Sequence, residues 1–213
     1  MIRVLFLISV LISPLPALAH PHIFIDTGLN FLFGQGRTLT DIEITWAYDE
    51  YYSLLILEER GLDKDGDGKL TPKEEKALGG FDANWDPDFK GDTYLYDGQK
   101  KLPLSRPKDA RAVLKNGRII STHRRSLAAP ITPKDNISAK AFDPSYYVAY
   151  TISRGVKAKA KGCRAKLLQA DLNAAYSLVE EMLYGPEAQS YTDDDYPAVG
   201  EAFSDTVILS CAP

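Results

Sequence analysis

The stretch "IFIDTGLNFLF", Ile23 to Phe33, decides the fold. Ile23, Ile25, Thr27, Leu29, Phe31 and Phe33 fall on one parity, and His22, Phe24, Asp26, Gly28 and Asn30 fall on the other. A period of two is the pattern of a strand with one buried face, because successive side chains of an extended chain point to opposite sides. "GQGR" (34–37) then reads as a turn, and Thr38 to Trp46 as a second strand carrying Ile42, Ile44 and Trp46 on one side. The stretch therefore opens as a β-hairpin, and most of the chain beyond it continues in the same way.

Downstream, "TYLYDGQKKLPL" turns at Asp97-Gly98, and "ARAVLKNGRIISTHRRSL" turns at Asn116-Gly117, a pair that favours two-residue hairpins. Ile137 to Phe142, Tyr146 to Ser153, Cys163 to Gln169 and the terminal "SDTVILSC" read as further strands, about nine in all. The period changes in two places. After Asp49, an N-cap residue, "EYYSLLILEER" is made of helix formers. Asp171 caps a later helix from Leu172 to Tyr184, which Gly185-Pro186 stops. The fold class expected is mainly β: an antiparallel β-sandwich with a helix–loop–helix insertion at about 49–80 and one later helix. Residues 187–203, acidic and broken by Pro197, read as the loosest segment.

The chain has 213 residues, 45% hydrophobic and 25% charged, with a net charge of −4. That length fits one domain. The acidic balance, with Lys and Arg scattered, excludes nucleic acid as an expected partner. Beyond the N-terminus no apolar run approaches the length of a membrane span. The N-terminus itself has three parts: Arg3, an apolar run from Val4 to Ile12, and the small-residue triplet Ala17-Leu18-Ala19. This is the grammar of a secretory signal peptide over residues 1–19, with cleavage leaving a single domain of residues 20–213. Export makes the two cysteines, Cys163 and Cys211, an expected disulfide.

The insertion contains "DKDGDGKLTPKE", Asp63 to Glu74. Asp63, Asp65 and Asp67 stand at loop positions one, three and five, Gly68 at the bend, Lys69 where only a backbone carbonyl is needed, and Glu74 at position twelve. These are the constrained positions of an EF-hand calcium loop, since hard Ca²⁺ takes six to eight oxygens. Thr71-Pro72-Lys73-Glu74 adds a capping box with proline at the first helical position. A partner loop is missing: "DANWDPDFKGDT" from Asp82 has Pro87 in place of glycine and Thr93 in place of glutamate. A lone extracytoplasmic hand is expected to act as a structural clip.

Cleavage after Ala19 makes His20-Pro21-His22 the mature start. A free α-amine, the His20 imidazole and the His22 imidazole offer three nitrogens, which suit nickel, copper or zinc better than calcium. Pro21 has no N–H, which closes the chelate that uses intervening amide nitrogens. Asp26 lies too far along the strand to share the ion. His123, Asp49 and Glu50 are candidates for a fourth ligand.

"HPHIFID", "WAYDEYYS", the acidic loop, "DPSYYVAY", the Gly162-Cys163 pair and the terminal "DTVILSC" together resemble the family called domain of unknown function 1007. The resemblance spans the whole mature chain. It implies an exported component associated with nickel, cobalt or zinc permeases or an uncharacterised ABC-type transporter, and it points to His20, His22, Asp49, Glu50, Cys163 and Cys211 and to the calcium-type loop. The expected function is thus a periplasmic, non-enzymatic metal-binding protein, an accessory or capture component of transition-metal transport with a structural calcium loop. The alternatives are an N-terminal-histidine copper oxidoreductase and a calcium-stabilised interaction module that holds no transition metal.

Overall fold

The computed structural model describes residues 20–133, 137–186, 188 and 196–212. The expected signal peptide, residues 1–19, lies outside the described residues. The elements run β1 (Ile23–Phe33), β2 (Leu39–Tyr48), α1 (Glu50–Arg60), α2 (Pro72–Leu78), β3 (Thr93–Asp97), β4 (Lys100–Leu102), β5 (Lys108–Lys115) and β6 (Arg118–Ile131). After these come β7 (Ile137–Ala141), β8 (Val148–Thr151), β9 (Val156–Ala158), β10 (Cys163–Leu168), α3 (Leu172–Tyr184) and β11 (Thr206–Cys211). Short 3-10 turns occupy Gln35–Arg37 and Gly200–Phe203.

The strands form two sheets. One runs β5-β6-β2-β1-β8, with β9 also on β1; the other runs β10-β11-β7-β3-β4. Pairing is antiparallel except along one side of β1. There Ile23–Asp26 pairs in parallel with Val148–Thr151, and Leu29–Phe31 in parallel with Val156–Ala158. The strand pattern in the sequence implies antiparallel pairing only. It also implies about nine strands where the described residues hold eleven. The three-residue β9 escapes it because so short a stretch shows no periodicity.

One apolar core joins the sheets. Ile25, Leu29 and Phe31 of β1 and Ile42 and Ile44 of β2 pack with Leu95, Ile137, Ala139, Val207 and Leu209 of the other sheet. Inward parity on β1 is the parity read from the sequence, and β7 and β11 alternate as cleanly. The arrangement is sandwich-like, with its apolar faces turned inward.

Local signals place the helices. Asp49 caps α1 by accepting the Tyr52 N–H at 2.8 Å. Asp171 caps α3 through the Ala174 N–H at 3.1 Å. Around α3 a satellite cluster forms from Ala175, Val179, Val199 and Phe203. The described end of the segment expected to be loose, residues 196–203, is therefore packed. Gly200 lies so close to the chain at Asp143 that a Cβ there would stand 1.7 Å from its carbonyl oxygen. The residues between 187 and 195, apart from 188, lie outside the described residues. Cys163 and Cys211 sit opposite each other on β10 and β11 and are joined by a disulfide.

Candidate metal sites and a buried polar layer

Just ahead of β1, the chain enters the sheet through a backbone contact. The His22 N–H donates to the Tyr147 carbonyl at 2.9 Å, so the start of the described chain is tied down, not frayed. The His20–Pro21 peptide bond is cis. The imidazole rings of His20 and His22 have centroids 5.0 Å apart. Tyr196 lies 4.2 Å from the His20 ring and Tyr147 lies 4.6 Å from the His22 ring. His22 is exposed and His20 half-buried. Two imidazoles meeting edge-on, with phenol rings beside them, form a nitrogen-rich corner at the start of β1.

The fourth-ligand candidates fare differently. Asp49 spends one carboxylate oxygen on the Tyr52 N–H and the other on the Phe24 N–H, at 2.8 and 2.9 Å. It fastens the start of β1 to the start of α1. Glu50 is exposed in the first turn of α1. His123 is far from a surface role: it is 1% exposed on the inner side of β6, with Trp46 and Trp85 at 4.7 and 5.5 Å. The structure does not bring it to His20 or His22, whose ring neighbours are tyrosines. Asp26 is occupied by Arg118 at 2.7 Å and by the Ser153 hydroxyl at 2.7 Å.

The loop between α1 and α2 gathers the acids that its spacing predicts. One carboxylate oxygen from each of Asp63, Asp65 and Asp67 lies within 4.8 Å of the others, a group able to hold a metal ion. Asp63 Oδ2 accepts the Gly68 N–H at 3.2 Å, whereas Oδ1 is buried and has no hydrogen-bond partner among the described residues. A buried, unsatisfied carboxylate oxygen is costly unless a cation meets it. Gly66 and Gly68, at φ +68 and +75°, supply the left-handed backbone that closes the loop. Glu74 lies outside the 4.8 Å group. Its Oε2 accepts both the N–H and the hydroxyl of Thr71, at 2.9 and 2.7 Å, and its Oε1 accepts the Asp63 N–H at 3.1 Å. The Thr71 hydroxyl and N–H hold the Glu74 carboxyl below its ordinary range. Glu74 thus completes the capping box and ties the two ends of the loop together. Lys69 points its ammonium at Asp67, 3.8 Å away.

A third feature escaped sequence reasoning. Along β6 the inward positions are Ile119, Ser121, His123, Arg125 and Leu127, so three polar residues occupy core sites. Beside them, Tyr48 and Ser121 both donate their hydroxyls to Asp82, and burial raises the Asp82 carboxyl. Asp92, 5% exposed, accepts the Tyr150 hydroxyl at 2.9 Å, and burial pushes its carboxyl up to about 7. Burial, and then the Arg125 charge, push His123 down to about 3. The available signal was parity: Arg125 shares that of Ile119 and Leu127.

Residues 5–211 match the model of the family described as "Protein of unknown function (DUF1007)". A relative described as "Uncharacterized protein", from Haemophilus influenzae strain Rd, is 26% identical over 201 residues, covering 91% of this chain and 92% of its own length.

Proposed function

The chain belongs to the DUF1007 family, and from that premise we propose that it is an exported, periplasmic metal-binding protein that captures a transition-metal ion at its mature N-terminus. Residues 1–19 serve as a signal peptide, and their removal frees the His20 α-amine. The amine and the imidazoles of His20 and His22 then hold nickel, cobalt, zinc or copper and present the ion to a membrane permease or ABC transporter. The observation that carries this reading is the pairing of the two histidine rings, 5.0 Å apart, on a segment anchored to the sheet through Tyr147. A pre-placed pair loses less conformational freedom on binding than a loose terminus would. Among the described residues, no helix is long and apolar enough to cross a membrane. The disulfide suits an oxidising compartment.

The α1–α2 loop works as an EF-hand that holds a structural calcium ion. Asp63, Asp65 and Asp67 provide carboxylates, Lys69 its carbonyl and Glu74 its carboxylate. The unsatisfied Asp63 Oδ1 supports this assignment. The role is binding and presentation, with no catalytic residue.

The test is calorimetry of protein beginning at His20 against Ni²⁺, Zn²⁺ and Cu²⁺. His22→Ala should weaken binding of the preferred ion by about tenfold or more, as loss of one ligand from three should. A glycine added before His20 should weaken it similarly by displacing the amine. Isotherms identical among all three proteins refute the reading.

A further inference from the structure

A cleft of about 440 Å³ opens where the Trp85–Lys90 segment faces β4 and the residues just after it. Neither the histidine pair nor the acidic loop contributes to it. Four of its lining residues are cationic, namely Lys90, Lys101, Arg106 and Arg125, and none is acidic. This stands out in a chain whose net charge is −4. Among the described residues, none of the four is ion-paired with a carboxylate.

The two guanidinium groups are fixed, but by neutral carbonyls. Arg125 is 5% exposed. Its Nε donates to the Ser105 carbonyl at 2.9 Å and its Nη1 to the Thr93 carbonyl at 3.1 Å. Arg106 donates to the carbonyls of Asp86 and Trp85. Carbonyl dipoles orient a guanidinium without cancelling its charge, so the positive field of the cleft stays open. The buried Asp92 carboxylate, whose charge and that of Arg125 act on each other, is hydrogen-bonded by Tyr150 and lines a neighbouring hollow, not this cleft.

Aromatic rings share the same walls. The Arg125 guanidinium lies 5.0 Å from the Trp85 ring centroid, and Phe89 meets Trp85 edge-on at 5.2 Å. The Lys101 ammonium stands 3.9 Å from the Tyr94 ring centroid. Gly91, at φ +80°, makes the arrangement possible: a Cβ there would come within 2.3 Å of the indole and 2.9 Å of Arg125 Nη1. Leu102, Pro103 and Leu104 complete an apolar side.

We infer that this cleft is a binding site for a small organic anion, a carboxylate carried on a flat aromatic body. The volume falls in the range of small-molecule sites, at roughly 300–1,000 Å³. Guanidinium and ammonium groups recognise the carboxylate, and the Trp85, Phe89 and Leu104 side takes the ring. An inorganic anion would leave that side uncovered. A polyanion large enough to lie outside the concavity would meet a net-acidic surface.

The test uses calorimetry of the whole mature protein with phthalate and benzoate as probes, and acetate and benzylamine as controls. Phthalate should bind at least about tenfold more tightly than acetate, and benzylamine should not bind. Lys90→Gln/Lys101→Gln, two exposed positions, should weaken phthalate binding by about tenfold or more with an unchanged melting temperature. Wild-type affinity should also fall as salt is raised. The inference is overturned if no aromatic carboxylate binds at up to about 10 mM, or if benzylamine binds as well as benzoate. It is likewise overturned if wild-type affinity is independent of salt, or if a double variant that melts like wild type binds phthalate equally.

Discussion

Asp92→Asn should change the way stability depends on pH. Asp92 is 5% exposed, and burial pushes its carboxyl from 3.8 up to about 7, against the opposing effect of the Tyr150 hydroxyl. Between those values the folded chain keeps a proton that the unfolded chain releases. Stability therefore falls as pH rises, by about 1.4 kcal/mol per pH unit for a single group. His123, 1% exposed, has the opposite sign. Burial pushes it from 6.5 down to about 3, so the unfolded chain takes up the proton first and stability rises with pH through the same window. From about pH 4.5 to about pH 6.5 the two slopes oppose each other, each worth about 3 kcal/mol over the interval. Asparagine keeps an oxygen for the Tyr150 hydroxyl and tolerates the φ of +42° at this position. It removes only the ionisation. Urea denaturation at three pH values across the window measures the effect. The stability of Asp92→Asn minus that of wild type should climb by about 3 kcal/mol from the acid end to the neutral end. A difference that stays constant across the window refutes the reasoning.

Calcium at about 10 mM should stabilise the protein by about 1.4–2.7 kcal/mol if the loop binds with a Kd of ~10⁻⁴–10⁻³ M, raising Tm by roughly 3–10 °C. Glu74→Gln keeps one oxygen for the Thr71 cap but gives up the acceptor for the Asp63 N–H, so it should lower Tm a little in chelator and remove most of the calcium gain on top of that; equal shifts in both conditions would take calcium out of the account. Replacing both Cys163 and Cys211 by Ala opens a loop spanning 48 residues. On the chain-entropy model this should cost about 4 kcal/mol, or roughly 8–16 °C in Tm, in a thermal melt. A shift of under about 2 °C would mean that the bridge adds little to what β10 and β11 already hold.

Much of the scaffold was legible because its strands bury one face each. β1 buries Ile25, Thr27, Leu29 and Phe31 on one parity, with Gly28 the one buried exception on the other, and its bounds match the sequence reading at both ends. Asp49, Thr71 and Asp171 each cap the helix expected of them, since capping is a local matter of one side chain and a nearby N–H. The gathering of Asp63, Asp65 and Asp67 was legible for the same reason: the loop is short and its glycines fix its course. What the sequence hid was non-local. Nothing in residues 148–158 shows that they run parallel to β1, because strand direction depends on the path of the chain between them. In sequence the stretch from Asp82 to Thr93 reads as an acid-rich segment that fails the EF-hand pattern. Instead Asp82 and Asp92 turn inward, to hydroxyl groups supplied by Tyr48, Ser121 and Tyr150, which lie 34 or more positions away from the carboxylates they meet. Composition gives no warning of a carboxylate whose partners are that remote.

The parallel pairing of β1 has a consequence for biogenesis. Its partner β8 begins at residue 148, so a nascent chain shorter than that has no strand against which to seat one whole side of its first strand. During synthesis the leading strand waits, half-zipped, for material made more than a hundred codons later. The histidine corner, which takes its anchor from Tyr147, can therefore close only once the chain has been made past that residue, with β9, β10, α3 and β11 still to come.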